Sequence, residues 1–250
     1  MNRQMWRQMD LVAHMGYGFQ LPLRSRMDWD TFNELFVKGE YDPALRRVFE
    51  AAGPEDGRPI VCLDLGANIG LFALRWVSMA QTYGIGPDRL QLVSVEGNRT
   101  NHGRLVELEK SWQRDWPGFR VVRGLAGRRS GSAVLYDADM HVTVSTRGRG
   151  HGEEVPFIDV ESLLPPDQPV SLIKCDIEGS EQDFMEAYPQ LLRRTGHLVI
   201  EFHHEMVDVE ACRRLLSQAG LHHVATLSDG MFTHSDVPAR RTTELFSRHR

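Results

Sequence analysis

The sequence predicts an α/β fold: a mostly parallel seven-stranded sheet with helices on both faces, an N-terminal helical extension and an inserted β-hairpin. Three observations predict it. From Ile60 onward, short apolar runs alternate with amphipathic stretches of helical length. The turn after the first run is glycine-rich, DLGANIG over 64–70. Acidic residues recur at the ends of the runs, at Asp64, Glu96, Asp176 and Glu201. Runs that alternate with helices become parallel strands joined by crossovers, and such sheets bind ligands beyond the strands' carboxyl ends.

Ahead of this body, Phe32, Leu35 and Phe36, then Leu45, Val48 and Phe49, recur at helical spacing around a break at 39–43. Residues 30–52 therefore read as two short helices. The breaker-rich stretch 53–59 is the natural joint between an extension or cap, 1–58, and an α/β body, 59–250. Within that domain, strands are expected at 60–64, 91–95, 120–122, 171–175 and 197–202. Helices are expected from 70 to about 81, over 101–112, from about 180 to 192, and up to 218. Segments around 222–226 and 244–247 close the sheet. The stretch from about 132 to 160 breaks the alternation with β-like pieces at 133–136, 141–145 and 154–158, followed by one helical turn at 161–164. It reads as a hairpin laid over the sheet edge, where substrate contacts are often carried.

The net charge is -5, with Lys and Arg scattered along the chain. That excludes a nucleic-acid backbone as the main partner, because phosphate neutralisation needs a concentrated basic surface. The first ten residues carry Arg3, Arg7 and Asp10 and lack the apolar core of a signal peptide. Nowhere do about 18 apolar residues run together. No membrane segment is expected, and a cytoplasmic location is. Cys62, Cys175 and Cys212 are odd in number and widely spaced, the first two inside apolar runs. They read as reduced core residues and not as a disulfide framework or a zinc site.

Gly66 and Gly70 permit a tight turn and a close approach of ligand to backbone at a helix start. The loop lacks the second glycine of the dinucleotide fingerprint, carrying Ala67 and Asn68 after Gly66. With Asp64 before it, the loop suits a zwitterionic aminoacyl ligand better than a diphosphate. The bland alternative is an ordinary strand-to-helix turn capped by Asn68. Glu96, in the SVEGN turn with Asn98, can accept both ribose hydroxyls of an adenosine. By itself it would be a turn residue. Ala126, after the third strand, can flank an adenine ring.

The stretch IKCDIEGSE places Lys174 and Asp176 in phase at the end of the fourth strand, both as candidate catalytic residues. Glu178 and Glu181 can oppose a helix dipole, and Ser180 with Asp183 can form a capping box. Asp176 is expected to face the reaction centre. In IEFHHE, Glu201 and His203 are in phase at the end of the fifth strand. With Asp176 they form a group able to orient or deprotonate an acceptor hydroxyl, His203 being the natural general base. The same three residues could instead hold a hard divalent cation such as Mg²⁺. A plain structural role, with Glu201 salt-bridged and His203 hydrogen-bonded, is the third alternative.

Taken in order, DLGANIG, VEGN, residues 121–126 with Gly131 and Ser132, VPFIDVESLL, IKCDIEGSE and VIEFHHE resemble the FkbM-type family of S-adenosylmethionine (SAM)-dependent methyltransferases. The resemblance spans roughly 60–205. It implies a class I methyltransferase fold, SAM as methyl donor, and O-methylation of a small molecule such as a sugar, a polyketide or another natural product. It implies the SAM methionine near 64–70, the ribose at Glu96, and the reaction at Asp176, Glu201 and His203. The sequence departs from the family at VEGN, which replaces a proline-containing turn, and at Cys175. Two other classes compete: a nucleotide-dependent oxidoreductase, disfavoured by the missing glycine, and a non-catalytic SAM-binding scaffold, disfavoured by the retained Asp176, Glu201 and His203. Arg128, Arg129, Arg147 and Arg149 flank the insertion and read as a solvated face, contact with an acidic substrate being the alternative. Monomer and homodimer both stay open.

Overall fold

The structure is a computed structural model that describes residues 11–54, 56–136, 152–234 and 237–248. The strand expected at 141–145, together with Arg147 and Arg149, lies outside the described residues. The chain opens with a hairpin that the periodicity did not indicate, β1 (Leu11–Met15) paired antiparallel to β2 (Phe19–Leu23). Helix α1 (Arg26–Phe32) starts at Ser25, whose hydroxyl accepts the Asp28 amide, and runs into a π-helical turn, Asn33–Val37. Helix α2 (Asp42–Ala52) follows the interruption, with Pro43 in its first turn and Gly53 at its end.

The body alternates β3 (Ile60–Leu65), α3 (Leu71–Thr82), β4 (Leu90–Glu96), α4 (Arg99–Trp112) and β5 (Phe119–Arg123). The insertion forms β6 (Ser132–Tyr136) and β7 (Gly152–Pro156), an antiparallel pair tied back to the end of β5 by a Leu125–Phe157 bridge. Then come a short turn at Val160–Leu163, β8 (Val170–Cys175), α5 (Glu181–Ala187), α6 (Pro189–Arg193), β9 (Thr195–His203), α7 (Val209–Gln218), β10 (His222–His234) and β11 (Val237–Ser247). The single helix expected from 180 to 192 is thus two. Pro189 has no N–H to continue the ladder, and its ring disfavours helical backbone at Tyr188.

The sheet order is β10-β11-β9-β8-β3-β4-β5. Strands β5, β4, β3, β8 and β9 pair in parallel, and β11 enters antiparallel between β9 and β10. The sheet is thus seven-stranded, with one antiparallel hairpin at its edge. Its strand order reverses between β3 and β8, the two strands that carry the DLGANIG and IKCDIEGSE motifs. Burial explains the apolar runs. All six residues of β3 are buried, with Ile60 and Cys62 facing one core and Val61, Leu63 and Leu65 the other. One core is covered by the N-terminal hairpin, α2, α3 and α4, the other by α5, α6 and α7. Cys62, Cys175 and Cys212 are all buried and unpaired. Among the described residues no helix is long and apolar enough to cross a membrane.

Candidate active site

The glycine loop is a backbone construction. The amides of Gly66 and Ala67 both donate to Val95 O at 3.0 Å, fastening the loop to β4. Gly66 has φ +79°, and a Cβ there would stand 1.7 Å from Asp176 O. Only glycine lets the β3 and β8 turns touch. Gly70, at φ +94°, is the N-cap of α3, a place that the bland alternative gave to Asn68. Asn68 instead takes a left-handed turn, φ 51°, that aims its amide at Glu96 Oε2, 2.8 Å away. Glu96 Oε1 accepts the Asn98 amide at 2.7 Å. Asn98 Oδ1 is used as the cap of α4, accepting from Thr100 and Asn101. Burial pushes the Glu96 carboxyl up to about 7 against the pull of these two amides. Ala126 is buried beside the insertion, where Gly124 N donates to Glu96 O at 3.2 Å.

Under the loop lies an ion pair that bears on two expectations. Asp64 is fully buried, accepts from Ser94 Oγ at 3.3 Å, and has Lys174 Nζ at 3.4 Å. The cation it meets is Lys174 of this chain, not an amino group of a ligand. Lys174 donates to Gly66 O at 2.6 Å and lies 3.8 Å from Asp176. Burial acts to lower the ammonium, but the Asp64 and Asp176 carboxylates outweigh it and hold Lys174 above its ordinary range. Lys174 is a buried cation that anchors the loop.

Across the switch point, Asp176, Glu178, Glu201, His203 and Arg241 gather at the ends of β8, β9 and β11. Register explains the last: Arg241 stands opposite His203, and Thr243 opposite Glu201. His203 is fully buried with Nδ1 2.9 Å from Glu181 Oε1 and Nε2 3.0 Å from Glu178 Oε2. Burial disfavours its charge, but the Glu178 and Glu181 carboxylates prevail and push it up to about 11. So held, the imidazole favours its charged form, which opposes the general-base role expected of it. Glu181, itself fully buried, serves His203 and the Gly179 amide, not only the helix dipole, and Ser180 makes no side-chain cap. Burial, then the Asp176 charge, pushes Glu201 up to about 8, and its Oε1 lies 3.5 Å from Arg241. The donor atoms that converge are those of Asp176, Glu178 and His203, all within 4.8 Å of one another. Glu178 thus replaces Glu201 in the predicted cation set, because the left-handed backbone at Glu178, φ 50°, folds its side chain back over His203.

Sequence reasoning missed Arg241 and Tyr41. Tyr41, at the start of α2, is buried edge-on to Phe72, and burial, then the charges of Asp176, Glu40 and Glu201, raise its phenol well above the usual range. Tyr41 thus lies within electrostatic range of Asp176 and Glu201. Strand phase in β11 could have flagged Arg241, but nothing local marks Tyr41. Arg128 and Arg129 are committed to Asp183, Asp159 and Glu161 in exposed ion pairs, as a solvated face requires. A polar cavity of about 430 Å³ between α7 and the β10–β11 hairpin has its arginines paired in the same way, Arg213 with Glu244 and Arg240 with Asp229.

No protein-family profile matches the chain, and no curated protein matches it in sequence. Solved structures do. The FkbM methyltransferase of Methylobacillus flagellatus KT is 15% identical with a TM-score of 0.48, over 81% of this chain and 58% of that one. WbdD is 16% identical with a TM-score of 0.48, over 100% of this chain and 47% of its own. Magnesium protoporphyrin IX methyltransferase of Synechocystis PCC 6803, solved with bound SAM, is 9% identical with a TM-score of 0.44, over 84% and 81%. The chain thus spans little more than half the length of the FkbM protein.

Proposed function

We propose that the chain is a SAM-dependent methyltransferase that methylates an oxygen of a small molecule. The observation that carries this is the convergence, at the switch point between β3 and β8, of the glycine loop, Glu96 and Asp176. The residues fit the donor. Each Glu96 oxygen accepts one amide, and a carboxylate has about four lone-pair sites, so it can also accept two ribose hydroxyls. The carboxyl edge carries the carboxyls of Glu96, Asp176, Glu178 and Glu201, interleaved with the cations of Lys174, His203 and Arg241. When bound, the donor supplies an already electrophilic methyl group, so alignment is most of what the protein must add.

Asp176 and Glu201, whose side chains keep 28% and 19% exposure, are the groups that orient an acceptor hydroxyl. The scattered positive charge favours a small acceptor over nucleic acid. Calorimetry with SAM, and with NAD(H) as a control, tests the reading. Saturable SAM binding that is weakened in Glu96→Gln is expected. A folded chain that binds no SAM, or binds NAD(H) instead, overturns it. Asp64→Ala is a poor control because it strands Lys174.

A further inference from the structure

The group formed by Asp176, Glu178 and His203 has features that acceptor orientation does not use. The donor atoms lie within 4.8 Å of one another. Two ligands about 2.1 Å from one ion stand no more than about 4.2 Å apart, so a contraction of a few tenths of an ångström per side chain would complete a coordination set. The three come from the end of β8, the turn after it and the end of β9, and so from a rigid frame.

The imidazole supplies an independent observation. His203 Nε2 is fully buried, lacks a hydrogen bond that meets geometric criteria, and stands 3.0 Å from the Glu178 oxygen with which it forms an ion pair. It faces the carboxylates. Its other nitrogen, Nδ1, is held 2.9 Å from Glu181, a carboxylate with no exposed surface. Metal-bound histidines have this arrangement, one ring nitrogen on the ion and the other fixed by a buried acceptor. Asp176 and Glu178 keep 28% and 27% side-chain exposure, which provides an entry path.

We propose that Asp176, Glu178 and His203 form a divalent-cation site, with Glu181 as the positioning residue for the imidazole. Two carboxylates and one imidazole suit a first-row divalent ion of the Mn²⁺ or Zn²⁺ kind, and three protein ligands leave coordination positions for water or for an acceptor's oxygens. Lys174 and Arg241 flank the group at 3.8 Å from Asp176 and 3.4 Å from Glu178. Together with the proton on His203, which leaves to solvent when the metal binds, they are the cations with which the metal competes.

Mn²⁺ is the probe, followed by electron paramagnetic resonance on the whole chain with neither SAM nor acceptor present. One equivalent should leave the free aqua-ion signal, and the bound ion should carry nitrogen modulation from a directly coordinated imidazole. His203→Gln should abolish that modulation and weaken binding at least tenfold. Glu178→Gln should weaken binding about as much but keep the modulation, and Glu181→Gln should cost about 10- to 100-fold. Glu178 is partly exposed, so its variant carries the test even where the His203 variant does not fold. A folded chain that takes up no Mn²⁺, bound Mn²⁺ without nitrogen modulation, or uptake unchanged in Glu178→Gln and in any folded His203→Gln would overturn the site. Since no SAM enters the measurement, this outcome is read separately from donor binding.

Discussion

The two halves of the carboxyl edge are built from different materials. On the β3–β4 side the loop geometry is set by backbone: amides of Gly66 and Ala67 on Val95 O, amides of Asn68 and Asn98 on Glu96, and a glycine where two turns touch. On the β8–β9–β11 side it is set by charged side chains from distant parts of the chain: Glu178 and Glu181 on either side of His203, with Arg241 across the sheet. The first kind of construction tolerates little change in shape. The second tolerates change in shape but not in charge balance.

The sharpest way to break the contrast is Gly66→Ala. Its Cβ would overlap Asp176 O in a left-handed backbone, and the loss should exceed about 4 kcal/mol, enough to prevent folding of a marginal chain. A melting point within a few degrees of wild type would mean that the two turns can move apart. Lys174→Met removes charge but little volume, leaving the Asp64 carboxylate buried and unpaired. Denaturant unfolding should show a loss of about 3–5 kcal/mol, with most of it recovered in the Lys174→Met/Asp64→Leu double variant. Additive losses would show that the pair is not coupled.

Glu96 joins backbone and charge. Its carboxyl is raised to about 7 in the fold, above the ordinary 4.5, so its contribution to stability is present below 4.5 and is lost as pH rises through 7. Ligand binding should run the other way. An ionised carboxylate accepts hydroxyls better, so SAM affinity should fall by up to about tenfold per pH unit below 7 in wild type and stay flat in Glu96→Gln. Opposite slopes for stability and binding are the signature, and parallel slopes would remove Glu96 from the ribose site. The smallest effect is expected at Arg129→Ala. Its ion pairs with Asp159 and Glu161 are partly exposed, so about 1 kcal/mol or less should be lost, and less still at high salt.

The same contrast explains what could be read in advance. Strand and helix positions from β3 to β9 were legible because burial on both sheet faces demands uninterrupted apolar runs. The N-terminal hairpin was not legible, since Leu11–Met15 and Phe19–Leu23 are too short and too mixed to outweigh a loop. Gly66, Gly70 and Glu96 were visible because a backbone turn is written in consecutive residues. The partners of Asp64, Lys174 and His203 were not legible, because local pattern says nothing of which opposite charge stands across a strand.

The sequence by itself determined the order of strands and helices, the glycine turn at the end of the first strand and the acidic ends of the strands. Hydrophobic period and turn chemistry are properties of neighbours along the chain. Tertiary structure alone decided that Lys174 would neutralise Asp64, that Glu178 and not Glu201 would close on His203, and that Tyr41 and Arg241 would come within electrostatic range of Glu201. Those choices follow from the energy of buried charge, which depends on what lies within a few ångströms in space and not on what lies nearby in sequence.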